Sequence, residues 1–182
     1  MTGPMTGKTI RHLTRADYTE MPWANGRGTT LELARADGPD GLLWRLSLAT
    51  VTENGPFSQL PGIDRTLTVT DGPGFLLLGQ GTSLAATPGT PIRFRGETPL
   101  WASGVTAPSR DFNVMTARAH LSHHVESARP GPLPARSFLL ALGDNTATLN
   151  SQTYHLSPYD LLILPEPATL TTTGALLRIT LV

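Results

Sequence analysis

The sequence predicts an all-β protein with short strands and few short helices, and three observations support this fold class. Glycine (18) and proline (16) are scattered along all 182 residues, and both interrupt regular structure. Short segments such as 44–49 alternate apolar with polar residues, which is the period of a strand. No long segment has the helical period of about 3.6 residues. Frequent turns between short strands are typical of a β-sandwich or β-barrel.

Ten segments are predicted to be strands. Alternation is clearest in two of them, Trp44–Ala49 and Asp111–Met115. The other eight are short and mostly apolar: Thr9–Leu13, Leu67–Thr70, Phe75–Leu78, Pro91–Phe94, Phe138–Leu142, Ala147–Leu149, Leu161–Leu164 and Leu176–Leu181. The best helical stretch is the short segment Thr29–Ala36. Residues 117–135 are polar, histidine-rich and then proline-rich, which predicts a loop or linker.

Two similar turns indicate an internal duplication. Thr87–Thr90 precedes the strand at Ile92–Phe94, and Ser157–Asp160 stands 70 residues later, before the strand at Leu161–Leu164. The Asp71–Gly74 turn falls on 141–144 under the same offset. Each half of a duplicated β-barrel needs such a turn before an apolar strand. Two matched turns leave a one-lobe and a two-lobe arrangement equally open.

Charge and cysteine content exclude several functional classes. Fourteen basic and fourteen acidic residues cancel, so no excess positive charge is available to attract nucleic acid. Cysteine is absent, which excludes disulfides and thiolate metal sites and agrees with a reducing compartment. Residues 1–14 lack the apolar core of a signal peptide, and no apolar run approaches the roughly 20 residues that cross a bilayer. We therefore expect a cytoplasmic protein that binds neither nucleic acid nor membranes.

Catalytic and metal-binding patterns are weak. The five histidines include no His-x-His pair, which a strand-borne metal site needs, and the role of His120, His123 and His124 stays open. No Gly-x-Ser-x-Gly motif or assignable nucleophile–base pair occurs. We predict no metal, no cofactor and no catalytic residue. An enzymatic alternative would have to use a carboxylate such as Glu32 or Asp111.

Polar residues of a candidate site fall in three segments. Met21–Thr30 combines glycines, hydroxyls and the Asn25 amide with Trp23, an arrangement that suits either a ligand-binding loop or an ordinary turn. In the second segment, Arg45, Ser47 and Ala49 share one face of the predicted strand. That face meets either solvent or a polar cavity.

The same second segment continues to Arg65, which precedes an apolar strand. Arginine suits a bidentate grip on a carboxylate, and a structural ion pair of Arg65 with Asp64 or Asp111 is the alternative. In the third segment, Asp111 and Asn113 share a strand face opposite the apolar residues. Buried polar groups must be paired, so this face predicts a network with each other, with arginine or with a ligand.

Together these segments resemble the HutD/Ves family of the cupin-like superfamily. Four motifs occur in the family's order, MPW-x-NG-x-G-TT, WR-[LI]-S-[LI]-A, GPFS-x-x-PGIDR and DFNVM, at Met21–Thr30, Trp44–Ala49, Gly55–Arg65 and Asp111–Met115. The match covers roughly residues 20–116, and the last third is similar only in pattern. The chain has Ala24, Arg27 and Glu97 where the family more often has Lys, Gly and Asp, so ligand identity is not carried over.

The resemblance implies a cupin-like double β-barrel, a bicupin, within one domain spanning 1–182. The approximate lobes are 20–116 and 136–182, joined by the linker 117–135. The resemblance also implies a binding protein without an established reaction. HutD-like members are associated with histidine utilisation, where a regulatory role and binding of formylglutamate or a related acid are suggested. Ves-like members are tied to stress responses.

We therefore predict a site for a small anionic ligand derived from an amino acid. Two arginines would grip its carboxylates, and Asp111 would hold an arginine in place. The predicted ligand-binding residues are Asn25, Thr29, Arg45, Ser47, Arg65, Asp111 and Asn113. The predicted pocket walls are Trp23 and Trp44.

Two other functional classes stay open. The first is a metal-independent isomerase or hydrolase that acts on a similar acid. The second is a stress-associated protein that binds a partner through a barrel edge or through residues 117–135. A homodimer is a further expectation.

Overall fold

The computed structural model describes residues 7–22 and 29–182. Within them, one turn of 3-10 helix lies at Arg15–Asp17, and the remaining regular structure is β-strand. The strands are β1 (Arg11–Leu13), β2 (Thr19–Pro22), β3 (Thr29–Gly38), β4 (Gly41–Val51), β5 (Gly55–Pro56), β6 (Ile63–Asp71), β7 (Phe75–Gly79), β8 (Thr82–Ala86), β9 (Ile92–Arg95), β10 (Trp101–Ser103), β11 (Ser109–Ala117), β12 (His123–Ser127), β13 (Gly131–Leu133), β14 (Ser137–Ala141), β15 (Asn145–Leu149), β16 (Gln152–Leu156), β17 (Leu161–Leu164), β18 (Ala168–Thr172) and β19 (Leu176–Leu181). The all-β fold class is confirmed.

The chain divides into two units. The central unit is Thr19–Ser122, and the terminal unit combines the described part of Met1–Tyr18 with His123–Val182. The central unit has a six-stranded sheet in the order β2-β3-β4-β11-β6-β9 and a four-stranded sheet in the order β5-β10-β7-β8. Strand β11 lies between β4 and β6, with Phe112 opposite Leu48 on one side and Thr68 on the other.

Both faces of β11 are buried. On one face Phe112 and Val114 are apolar and 0% exposed, whereas on the other Asp111 and Asn113 are polar and only 1% and 3% exposed. Because side chains alternate along a strand, the polar pair faces the interior of the central unit together. The fold therefore buries the polar residues that the sequence places on one face of this strand.

The terminal unit has an apolar interior. Its sheets have the strand orders β1-β17-β14-β19-β12 and β13-β18-β15-β16. A core of leucines and alanines fills it, including the fully buried Leu139, Leu162 and Leu170. A bond of 2.8 Å between His12 Nε2 and Asp160 Oδ2 joins β1 to the turn before β17. Backbone pairing and this side-chain contact hold the N-terminal strand in the unit.

Strands β6–β11 and β14–β19 repeat one pairing scheme. Strand β6 lies between β11 and β9, just as β14 lies between β19 and β17. Strand β7 lies between β10 and β8, just as β15 lies between β18 and β16. The flanking strands repeat as well, since β4 pairs with β11 as β12 pairs with β19. Strand β7 at 75–79 corresponds to β15 at 145–149 under the 70-residue offset. The two similar turns therefore belong to a repeated strand topology.

Two secondary-structure predictions are wrong. Thr29–Ala36 lies within strand β3 rather than in a helix, because pairing with β2 and β4 overrides the helix preference of its Leu, Glu and Ala residues. Residues 117–135 are not a continuous loop, because His123–Ser127 pairs with β19 and Gly131–Leu133 pairs with β18. The N-terminal strand also lies in a unit with the C-terminal residues, which the approximate lobes do not anticipate.

The turn between β6 and β7 requires glycine. Gly72 and Gly74 have φ values of +89° and +86°, which side-chain-bearing residues rarely adopt. A Cβ atom at Gly74 would also overlap the backbone oxygen of Ala86 on β8. Ser109 Oγ accepts a hydrogen bond from the Gly74 amide at 2.9 Å, which ties the turn to the start of β11.

Over residues 7–22 and 29–182, the structure contains no helix that is long and apolar enough to cross a membrane.

Candidate functional site

The central unit encloses a cavity of about 570 Å³, within the range typical of small-molecule sites. Strands β4, β6 and β11 of the larger sheet supply Arg45, Ser47, Arg65, Asp111 and Asn113 to its lining. Residues 52–58, around β5, and Ala102 of β10 line it from the smaller sheet. The cavity therefore lies between the two sheets of one unit, and all its lining residues belong to Thr19–Ser122.

Strand alternation decides which residues enter the cavity. On β4, Arg45, Ser47 and Ala49 line it, while the residues between them belong to the opposite, apolar face. Across the sheet, Ser47 pairs with Asn113 of β11, and Asn113 pairs with Leu67 of β6. The register thus brings residues from three distant sequence segments side by side.

Arg65 is the most enclosed cation of the site, with an exposure of 5%. Its Nη2 donates to Asn113 Oδ1 at 2.9 Å, and its Nη1 donates to the Ser58 carbonyl at 3.2 Å. Its guanidinium lies over the rings of Phe57 and Phe94, at 5.5 and 5.1 Å from their centroids. Burial lowers the pKa of Arg65 to about 10, although the charge of Asp111 acts in the opposite direction. The side chain remains a cation at neutral pH and is held rigidly.

Asn113 bridges Arg65 and Asp111. Its Nδ2 donates to Asp111 Oδ2 at 2.8 Å, while its Oδ1 accepts from Arg65. Burial raises the pKa of Asp111 to about 7, against the hydrogen bond from Asn113 and the charge of Arg65. The ion pair of Arg65 with Asp64 does not form, because Asp64 accepts hydrogen bonds from Arg93 and Arg118 instead. The ion pair of Arg65 with Asp111 is indirect, because Asn113 lies between the two side chains.

Arg45 is the second cation of the cavity. Its side chain is 22% exposed, and its Nε lies 3.9 Å from Glu32 Oε2 on β3. Burial lowers the pKa of Arg45, opposed by the charge of Glu32. Glu32 also lies 3.7 Å from Arg35 Nη1, so Arg45 shares this carboxylate with a second arginine. Arg45 therefore retains donor capacity that Glu32 does not saturate.

Unsatisfied polar atoms concentrate at this site. Among the described residues, seven buried side-chain nitrogen or oxygen atoms have no hydrogen-bond partner, and four of them belong to residues that line the cavity. These four are Arg45 Nε, Ser47 Oγ, Arg65 Nε and Asp111 Oδ1. A fifth is Oε2 of Glu32, which lies beside Arg45. Because buried polar groups are normally paired, this concentration indicates a site that is completed by a bound molecule or ordered water.

The cavity brings together five of the predicted site residues: Arg45, Ser47, Arg65, Asp111 and Asn113. Two other predicted residues lie away from the cavity. Trp44 lies on the opposite face of β4, where it is 3% exposed, because it adjoins Arg45 on a strand. Thr29 is exposed, and its neighbour Thr30 lines the cavity instead. Asn25 and Trp23 lie outside the described residues.

Several site residues were not predicted from the sequence. Phe57 and Phe94 sandwich the Arg65 guanidinium, and Met115 lines the cavity from β11. Phe57 belongs to the GPFS motif, which is a signal that could have placed it at the site. Met115 shares the strand face of Asp111 and Asn113, so alternation alone identifies it.

The clustered histidines separate in the structure. His120 Nε2 lies 3.6 Å from Asp40 in the central unit, whereas His123 and His124 are on β12 of the terminal unit. His123 is buried and His124 is exposed, since they occupy opposite faces of that strand. Within the described ranges, no group of three or more His, Cys, Asp or Glu residues is placed to hold a metal ion.

Comparison with known sequences identifies related proteins. Residues 15–177 match the family model described as HutD. An uncharacterized 21.2 kDa protein of the hutC 3' region of Pseudomonas putida is 40% identical over 111 residues, which are 59% of this chain and 58% of that protein. Protein Ves of Cronobacter sakazakii is 36% identical over 107 residues, which are 56% of this chain and 59% of that protein. The chain thus spans slightly less than three fifths of the length of these relatives.

Solved structures extend the similarity over nearly the whole chain. HutD from Pseudomonas fluorescens, in a structure described as a formate condition, superposes with a TM-score of 0.84 and 28% identity, covering 95% of this chain and 98% of that chain. A cupin 2 conserved barrel domain protein from Leptotrichia buccalis superposes with a TM-score of 0.57 and 9% identity over 89% of this chain and 91% of that chain, which supports the cupin-like fold alone. The chain belongs to the HutD family.

Proposed function

We propose that this chain is a non-catalytic binding protein for a small carboxylate, such as formylglutamate, with a regulatory role in histidine utilisation. The observation that carries the proposal is the set of unpaired donors at the cavity: Arg45 Nε, Arg65 Nε and Ser47 Oγ. A carboxylate presents up to four acceptor positions and would satisfy donors that the protein leaves unpaired.

The surroundings of Arg65 favour an anionic ligand. Arg65 reaches Asp111 only through the neutral Asn113, so its charge is not cancelled by direct contact. Phe57 and Phe94 fix the guanidinium without supplying a counter-charge. Pre-organised cations of this kind bind carboxylates without the entropy loss of ordering a flexible side chain.

The biological context rests on the relatives. One is named for the hutC 3' region, and one solved relative is HutD in a formate condition. Formate is the simplest carboxylate and therefore a minimal probe for the cavity. The cysteine-free composition agrees with action in the cytoplasm.

A thermal-shift screen followed by calorimetry tests the proposal. Formate, formylglutamate, formiminoglutamate, urocanate, glutamate and histidine would be compared, and a ligand at 100 times its Kd adds about 2.7 kcal/mol of stability. Arg65→Gln and Arg45→Gln should each weaken binding about 10- to 100-fold, since each removes a charge-assisted hydrogen bond. Arg93→Gln is the matched control, because Arg93 lies on β9, is half-exposed and does not line the cavity.

Two results would overturn the proposal. The first is the absence of any shift with the six compounds at millimolar concentration. The second is an equal loss of affinity in Arg93→Gln and Arg65→Gln, which would place the anion outside the cavity.

One observation favours a metal-independent enzyme as the second candidate. A buried carboxylate whose pKa lies near 7, as burial gives Asp111, is suited to general acid–base catalysis at neutral pH. Proton NMR of each compound incubated with the protein would detect isomerisation or hydrolysis. Turnover that disappears in Asp111→Asn supports the enzyme, and unchanged spectra with a bound ligand reject it.

A further inference from the structure

Asp111 is a buried acid in a cavity that suits an anion. It is 1% exposed, its Oδ2 accepts from Asn113 at 2.8 Å, and its Oδ1 has no hydrogen-bond partner. Two like charges in one cavity repel each other, and the burial of Asp111 reduces the screening of its charge by solvent. The ionised carboxylate of Asp111 therefore opposes the binding of any ligand carboxylate near Arg65.

Arg65 is the cation that Asp111 and a bound carboxylate would share. Glu32 on β3 lies 3.9 Å from Nε of Arg45 on β4, so Arg45 has a neighbouring carboxylate of its own. The charged residues that line the cavity with Asp111 are Arg45, Glu53 and Arg65. The other charged residues of β6 and β11 are Asp64, Asp71 and the exposed Arg110, and none of them lines the cavity. Asn113 connects Asp111 to Arg65 through two hydrogen bonds, of 2.8 and 2.9 Å.

We infer that a bound carboxylate and the ionised form of Asp111 compete for Arg65, so that each carboxylate binds together with one proton taken up by Asp111. The inference rests on the proposed function, because it requires an anion in the same cavity. The proton comes from the conjugate acid of the buffer, whose own O–H or N–H bond breaks, and it forms an O–H bond on the Asp111 carboxyl group. No covalent bond of the ligand changes. Protonation removes the repulsion and converts an acceptor into a donor.

The transition falls in an accessible pH range. Burial raises the pKa of Asp111 to about 7, so the free protein changes from protonated to ionised between roughly pH 6 and 8. A ligand that prefers the protonated form of Asp111 binds with its full affinity below this range, and its affinity falls as pH rises through it. If only the protonated form binds, the Kd at pH 8 is about tenfold higher than at pH 6.

Calorimetric titration with formylglutamate, with formate as the minimal probe, tests the coupling. At pH 8 the binding enthalpy should differ between HEPES and Tris, whose ionisation enthalpies differ, by an amount that corresponds to uptake of nearly one proton. At pH 5.5 a second pair of buffers with different ionisation enthalpies, MES and piperazine, should give the same enthalpy. Asp111→Asn cannot titrate, so it should bind without proton uptake, with a pH-independent Kd, and more tightly than wild type at pH 8.

The outcomes separate the two proposals. If neither compound binds at any pH, the binding function itself fails. If both bind with equal enthalpies in the two buffers and a constant Kd, the binding function stands and the proton coupling is wrong. If Asp111→Asn does not fold, Glu32→Gln and Glu53→Gln decide the assignment. Retained proton uptake in both variants supports Asp111, and its loss in either assigns the proton to that glutamate.

Discussion

The burial of Asp111 predicts a pH-dependent stability that Asp111→Asn should remove. Burial raises the pKa of this carboxyl from its model-peptide value of 3.8 to about 7 in the folded chain. Between these two values the unfolded chain has released the proton while the folded chain still holds it. The folded state therefore loses stability as pH rises from about 4 to about 7, and the loss is complete above the folded pKa.

The magnitude follows from the size of the shift. One pKa unit corresponds to about 1.4 kcal/mol, so this group destabilises the fold by about 2 kcal/mol at pH 5 and about 4 kcal/mol at pH 8. Asparagine can still accept from Asn113 Nδ2 and carries no charge at either pH. The free energy of unfolding of Asp111→Asn minus that of wild type should therefore increase by about 2–3 kcal/mol from pH 5 to pH 8.

Urea denaturation followed by tryptophan fluorescence measures this difference for the central unit, which contains Asp111. Trp44 and Trp101 belong to the central unit, Trp44 is buried, and the described residues of the terminal unit contain no tryptophan. Asp40→Asn is the matched control, because Asp40 is an acid of the same unit with a side chain that is 82% exposed. A difference between Asp111→Asn and wild type that stays constant from pH 5 to pH 8 would refute the argument.

Three further changes test the packing of the central unit, each by urea denaturation. Asn113→Leu should destabilise the unit by about 3–5 kcal/mol, because it leaves Arg65 and Asp111 buried without the bridging amide; a loss below 1 kcal/mol would contradict this. Gly74→Ala should lower the free energy of unfolding more than Gly81→Ala does, because Gly81 has a similarly strained φ of +68° but its Cβ would meet no atom within 4 Å. Equal losses would show that overlap with Ala86 does not contribute to the cost. Phe94→Leu should cost about 1–3 kcal/mol through lost ring contact with Arg65, and an unchanged midpoint would show that the ring is dispensable.

Strand alternation accounts for what the sequence predicts well. The period of two in 44–49 and 111–115 identifies the faces that carry Arg45, Ser47, Asp111 and Asn113, and each of these residues lines the cavity. The same rule excludes Trp44, which adjoins Arg45 and must point to the other face. The aromatic character of Trp44 suits a pocket wall, but its position in the strand decides which face it occupies.

Long-range pairing accounts for what the sequence does not predict. Phe94 reaches Arg65 because β9 pairs with β6 in a register that places the two residues opposite each other. Thr30 rather than Thr29 lines the cavity because Thr30 pairs with Ala49, whose side chain is already on the cavity face. Both facts depend on the register of neighbouring strands, which local propensity does not determine.

The internal repeat shows how the two units differ at equivalent positions. Val69 pairs with Asp111, and 70 residues later Leu139 pairs with Arg178, so Asp111 and Arg178 occupy equivalent register positions. On the neighbouring strand, Arg178 is opposite Glu126 and forms an ion pair with it, whereas Asp111 is opposite the uncharged Ala49. The terminal unit thus neutralises its charge internally and fills the remaining interior with leucine. The central unit instead places Asp111, Glu53 and two arginines around a cavity, and the proposed binding function rests on this difference between the two copies.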